Sequence, residues 1–174
     1  MSLDQYLSHR SNQLANYNLV YRHLVKFLAD YLVIFNFFIA IVGHAIYRQD
    51  FFWIFFFRLA LTIICVVITV FTLKTIVGRK RPYLTDRAIR KDSSLMLGSD
   101  RASFPSSHTA LSFTLALVVL TSWPIFGIIL LTLAFLVSLG RLLSGVHYLS
   151  DILAGTIIAI IFSEVVNMIL GLPR

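Results

Sequence analysis

Apolar residues recur in five long runs, approximately 27–47, 51–77, 105–122, 124–141 and 148–170, with polar residues gathered between them. Each run is about long enough to cross the ~30 Å hydrocarbon core of a bilayer as a helix, which takes roughly 20 residues. The pattern predicts an all-α membrane bundle of about five transmembrane helices, or six if residues 1–26 also cross. That first segment is polar and aromatic, with Arg10, Arg22 and Lys26, and reads more simply as an amphipathic helix lying in the interface. The connections near Tyr47–Asp50 and Ser122–Pro124 are tight. Residues 78–104 instead form a long polar loop containing Gly78, Pro82, Gly98 and several serines.

Composition agrees with this reading and narrows it. At 174 residues, 58% hydrophobic, the chain is too apolar for a soluble domain and too short for two membrane domains, so residues 1–174 are expected to form one. The single cysteine, Cys65, lies inside an apolar run, which excludes a disulfide framework or a cysteine metal cluster within the chain. Residues 1–26 lack the basic, then apolar, then small pattern of a cleaved signal. The net charge of +7 raises nucleic acid as a partner, but seven of the fifteen basic residues fall between Arg79 and Arg101, beside the membrane runs. Membrane lipids are therefore the expected partner and nucleic acid is not, with Arg87, Arg90 and Lys91 read as headgroup anchors. Asp86, Asp92 and Asp100 are scattered through the same loop, so neither a metal nor another cofactor is expected.

Tracing five crossings places the amino terminus, the 78–104 loop and the 141–147 connection on one face of the membrane. Three short blocks share that face. Lys74 and Arg81 are seven residues apart, about two turns, so both would project from one helix side if the helix ran on to Pro82. Pro105 suits a first helical turn, where Ser106, Ser107 and His108 would offer hydroxyls and unpaired N–H groups at the positive end of the helix dipole. His147 and Asp151 are four apart, which on a helix sets the carboxylate beside the imidazole, and Arg141 precedes them across a turn containing Gly145. Singly, each block has a plain structural meaning: snorkelling cations, a helix start capped by Ser103, a structural His–Asp pair. Together they supply three cations, an anion cradle and two histidines, the parts that phosphoryl transfer through a histidine needs.

These blocks resemble the three-part signature of the type-2 phosphatidic acid phosphatase family, whose fold is shared with vanadium haloperoxidases. A lysine, six residues and Arg-Pro are met by Lys74, Arg81 and Pro82; Pro-Ser-Gly-His is met by Pro105, Ser106, Ser107 and His108, with Ser107 replacing glycine. The third motif is met by Arg141, His147 and Asp151, with Gly140 where serine is usual. Ser107 keeps the backbone N–H provided its φ is not positive. Gly140 forfeits one hydroxyl, worth about 1–3 kcal/mol at most. The resemblance spans roughly residues 51–170 and implies that His147 attacks phosphorus, Asp151 orients it, and His108 protonates the leaving oxygen. It further implies that Lys74, Arg81 and Arg141 hold the phosphate.

The implied activity is hydrolysis of the terminal phosphate of a lipid phosphate or diphosphate. Short loops leave little room for an elaborate headgroup pocket, which favours broad specificity; among the lipids the resemblance implies, undecaprenyl diphosphate and phosphatidylglycerol phosphate are favoured over lipid A phosphates and phosphatidic acid. A phosphotransferase would carry the same motifs, and a non-catalytic lipid-phosphate binder or transporter would need only the cations. The implied location is the cell (inner) membrane. Basic residues on the motif face outnumber Arg48 and Arg174 opposite, which by charge counting makes that face cytoplasmic, whereas bacterial relatives place it outside; the expectation adopted is extracytoplasmic. Away from the motifs, Arg58 and Glu164 are charges within apolar runs, about 24 Å and 20 Å along their helices from Lys74 and Asp151. They are expected to approach each other far from the catalytic face. His9, His23 and His44 have no motif partners and are read as structural or interfacial.

Overall fold

The computed structural model describes residues 2–47, 52–93 and 102–171. Leu3–Ala15 forms α1, Leu19–Lys26 forms α2, and a π-helical turn at Phe27–Tyr31 joins α2 to α3, Leu32–Tyr47. Then come α4 (Phe52–Val77), a single turn α5 (Pro82–Thr85), α6 (Ser107–Ser122), α7 (Pro124–Leu143) and α8 (Leu149–Ile169). Four stretches are long and apolar enough to cross a membrane, Leu19–Gly43, Trp53–Val77, Pro124–Leu143 and Leu149–Ile169, and α6 is a shorter apolar helix. The chain is therefore a multi-pass, all-α membrane bundle. Sequence patterning placed the first crossing at 27–47 and left residues 1–26 to the interface. The structure instead begins that crossing at Leu19, because α2 continues through the π turn into α3. Only α1 remains outside it; its 13 residues span about 20 Å, too short for a sixth crossing.

The shorter apolar helix α6 holds the bundle together. α6 packs against α7, α8, α4 and α3, and is buried on nearly every side. Its lower half joins Leu115, Ala116, Val118 and Val119 to Phe55 and Leu59 of α4 and Leu130 of α7 in the main apolar core. The outer helices carry large exposed apolar residues, among them Phe38, Ile68, Phe135 and Ile157, as expected where lipid is the solvent. With apolar solvent outside, the polar interior identifies where function lies. Buried polar side chains concentrate where α4 ends and α6 and α8 begin.

Far from that end, Arg58 is buried in α4, where it donates to the Thr121 hydroxyl of α6 and interacts electrostatically with Glu164 of α8. The expected approach of these two charges is met. His9 binds Asp86 at 2.8 Å and His23 binds the Leu19 carbonyl at 2.7 Å, both structural contacts. Arg87, Arg90 and Lys91 are exposed, as anchors require. Arg48, Gly98, Asp100, Arg101, Arg174 and the side chain of His44 lie outside the described residues.

Candidate active site

Lys74 and Arg81 meet by a route other than one helix face. α4 stops at Val77, Gly78 takes a φ of 56°, and Arg81 is the extended cap residue of α5 rather than a helical one. The chain reverses there because Lys80 pairs with Ala102 in an antiparallel bridge and the Ser103 N–H donates to the Arg79 carbonyl at 2.8 Å. Lys74 then reaches the Ala102 carbonyl at 3.4 Å. One guanidinium nitrogen of Arg81 donates to the Val146 carbonyl at 3.0 Å and lies 3.2 Å from His147 Nε2.

In the second block the helix starts three residues later than expected. Pro105 precedes the helix rather than opening it, and the cap is Ser106, not Ser103: its hydroxyl accepts from Thr109 N–H at 3.5 Å while its own N–H donates to the Asp151 carbonyl at 3.0 Å. Ser107 and His108 form the first turn of α6, with Ser107 free of positive φ, so the serine substitution keeps the backbone geometry. His108 is buried and interacts electrostatically with Arg141, His147, Arg81 and Lys74.

His147 lies outside α8, one residue before the cap Tyr148, because Gly145 at φ 71° turns the chain back from α7. The pair still closes. Asp151, third residue of α8, reaches back so that Oδ2 accepts the Tyr148 N–H at 2.9 Å and lies 3.5 Å from His147 Nδ1. Capping geometry, not helical spacing, thus builds the dyad. Nδ1 faces the Asp151 carboxylate without a hydrogen bond between them and Nε2 faces the Arg81 guanidinium, an arrangement that suits a neutral ring with its Nε2 lone pair toward the cations. Burial, then Arg141, Arg81 and Lys74, push the His147 imidazole well below its ordinary value, so it is neutral at physiological pH.

Arg141, fully buried, donates from one nitrogen to Ser93 Oγ at 2.8 Å and to Ala29 O and Asp30 Oδ1, each at 3.3 Å. Asp30 is the acid that motif reasoning missed; a carboxylate inside the 27–47 apolar run was the signal. Gly140 explains its proximity: a Cβ there would lie 2.6 Å from the Ala29 backbone nitrogen and 2.8 Å from Leu28 backbone carbon. The missing hydroxyl is therefore not a simple loss. It lets the π turn approach closely enough to bring Asp30 to Arg141. Asp4 and Arg79 were also missed: Arg79 contacts Asp151 Oδ1 at 2.9 Å and Asp4 at 2.8 Å. Beside the cluster lies a cavity of about 660 Å³, lined by Lys74, Lys80 and Ala102 together with Phe71 and Leu84.

The bundle thus gathers two histidines and three buried cations at one end. The chain belongs to the PAP2 superfamily, whose profile matches residues 51–171. LpxE from Aquifex aeolicus has a similar structure, with a TM-score of 0.76 and 25% identity, over 97% of this chain and 96% of that one. The PAP2-type phosphatidylglycerolphosphate phosphatase of Bacillus subtilis shares the fold, with a TM-score of 0.66 and 18% identity, over 97% and 84%. The bacitracin transport permease protein BcrC of Bacillus licheniformis is 39% identical over 59 residues. That match covers 34% of this chain and 29% of the relative.

Proposed function

We propose that the protein hydrolyses the terminal phosphate of a lipid phosphate or diphosphate through a phosphohistidine on His147, with undecaprenyl diphosphate or phosphatidylglycerol phosphate as substrate. The observation that carries this reading is the His147 ring itself, neutral and buried, between Asp151 on Nδ1 and Arg81 on Nε2. Nε2 attacks phosphorus as the bond to the lipid oxygen breaks, and His108, protonated when the negative phosphate binds beside it, gives that oxygen its proton. His108 then takes a proton from water, which attacks the phosphorus, breaks the P–N bond and releases inorganic phosphate. Lys74, Arg81 and Arg141 hold the equatorial oxygens, with the first turn of α6 at Ser106 and Ser107 adding its dipole. Burying these cations costs several kcal/mol each; Asp30 offsets part of this for Arg141, and a bound phosphate adds negative charge beside all three.

The cavity beside Lys74 supports lateral access from the bilayer, since Lys74 and Lys80 can meet phosphates while Phe71 and Leu84 meet the chain. The site is assigned to the outer face of the inner membrane. The reading is tested by phosphate release from undecaprenyl diphosphate, phosphatidylglycerol phosphate, lipid A and phosphatidic acid by the detergent-purified protein in EDTA. Release that disappears in His147→Ala is expected. Equal release by both proteins overturns the nucleophile, phosphate recovered on a second lipid makes the enzyme a phosphotransferase, and no turnover leaves a binder. A reporter fused after the last helix is expected to read as cytoplasmic.

A further inference from the structure

We propose that Arg79 and Asp4 are positioning residues for the Asp151 carboxylate, so that the amino-terminal helix α1 is a working part of the site. The inference rests on the phosphatase reading above. Neither residue falls in the motifs, yet Arg79 reaches the carboxylate beside His147 and Asp4 reaches it through Arg79. Arg79 is held from three sides: Nη1 to Asp151 Oδ1 at 2.9 Å, Nη2 to Asp4 Oδ2 at 2.8 Å, and its face 3.9 Å from the centre of the Tyr148 ring. Asp4 also receives the Ser150 N–H at 3.2 Å and the Ser150 hydroxyl, so it ties the start of α1 to the first turn of α8.

Charge sharing gives this arrangement its function. Asp151 has two oxygens with separate duties, Oδ2 toward Tyr148 N–H and His147 and Oδ1 toward Arg79. An arginine engaged by Asp151 alone would draw the carboxylate away from the imidazole. With Asp4 on its other nitrogen, the guanidinium fixes Oδ1 without taking the whole charge.

The build of α1 supports the same conclusion. Its inward stripe runs through Asp4, Ser8, Asn12 and Ala15, while Leu3 and Leu14 stand more than 70% exposed. Asn12 donates to the carbonyls of Arg90 and Leu143, each at 2.9 Å, and accepts from Arg90 N–H at 2.9 Å. Outward leucines suit a helix beside lipid, and the inward face is made of hydrogen-bonding groups that tie α1 to the segments around the site.

The test compares full-length Arg79→Ala, Arg79→Lys and Asp4→Asn with the parent, using the most rapidly hydrolysed lipid of the panel above. Arg79→Ala is expected to lower kcat by about ten- to a hundredfold with KM within about twofold, the range found when partners that orient a reacting group are removed. Arg79→Lys should recover only part, because an ammonium lacks the planar fork that sends separate nitrogens to the two carboxylates and stacks on Tyr148. The acid limb of kcat/KM should move in opposite directions: upward in Arg79→Ala, where Asp151 acts on His147 undiluted, and downward in Asp4→Asn, where Arg79 turns wholly to Asp151. The other charged or titratable groups facing this dyad, Lys74 of α4, Arg81, His108 of α6 and Arg141 of α7, are unchanged throughout. A purely structural latch would lower the thermal midpoint and leave kcat and the limb in place, which overturns the inference. If Arg79→Ala does not fold, Asp4→Asn and Arg79→Lys decide. His147→Ala separates the two levels: its retained activity would sink the phosphatase reading, whereas a dead His147→Ala beside a normal Arg79→Ala sinks only this one.

Discussion

Restoring the serine usual in the family at position 140 should damage this protein. In Gly140→Ser the new Cβ would stand 2.6 Å from the Ala29 nitrogen and 2.8 Å from both the backbone carbon and Cβ of Leu28, all in or beside the π turn. Two of these atoms are backbone, so no rotamer relieves the contact and the turn must move by several tenths of an ångström or more. Overpacking of this kind costs about 1–3 kcal/mol. Moving the turn further would break the Asp30–Arg141 pair, buried on both sides, at about 3–5 kcal/mol, so the chain is expected to absorb strain rather than surrender the pair. A loss near 2 kcal/mol corresponds to a fall of about 4–8 °C in unfolding midpoint for a chain of this size. The assay is thermal unfolding of the detergent-purified protein, followed by phosphate release below the midpoint. Gly140→Ala should lose as much as Gly140→Ser, since the Cβ and not the hydroxyl does the harm. A serine variant with an unchanged midpoint and higher turnover would refute the argument and restore the view that Gly140 merely lacks a hydrogen bond.

Asp30→Ala should lower kcat and the unfolding midpoint together, because Arg141 loses a buried counter-charge worth about 3–5 kcal/mol, while Asp30→Asn should retain more of both; equal behaviour of the two would remove charge from the explanation. His147 must be neutral to attack, and its folded value lies well below 6.5, so the acid limb of kcat/KM should fall well below pH 6.5 and move upward in Lys74→Met. The sign for stability follows: below about pH 6.5 the unfolded chain protonates this histidine and the folded one does not, so its contribution is present above that pH and lost as pH falls. An acid limb at 6.5 in the parent, unmoved by Lys74→Met, would show that the cations do not act on the ring.

Much of this was legible in the chain before folding. Hydropathy fixed an all-α membrane bundle and put the three blocks on one face, because bilayer thickness dictates helix length and leaves few ways to arrange spans. Motif spacing named Lys74, Arg81, His108, Arg141, His147 and Asp151, and the structure brings all six into one buried cluster. The local geometry expected from that spacing was less faithful. Lys74 and Arg81 converge through a reversal at Gly78 and the Lys80–Ala102 bridge, and His147 meets Asp151 through a helix cap, since a turn can bring residues together as well as a helix face can.

What tertiary structure alone decided is the set of partners around those residues. Asp30 and Ser93 reach Arg141 across separations of 111 and 48 residues, and Asp4 reaches Ser150 across 146, distances at which no periodicity carries information. Gly140 is the sharpest case. By sequence it is a motif position missing a hydroxyl; in the fold it is the gap through which the first membrane helix approaches. The sequence by itself determined which groups are the candidates for the chemistry, because their types and spacing are local properties. Only the packing of distant segments decided what holds them, because a buried charge takes its partner from whichever helix the bundle places beside it.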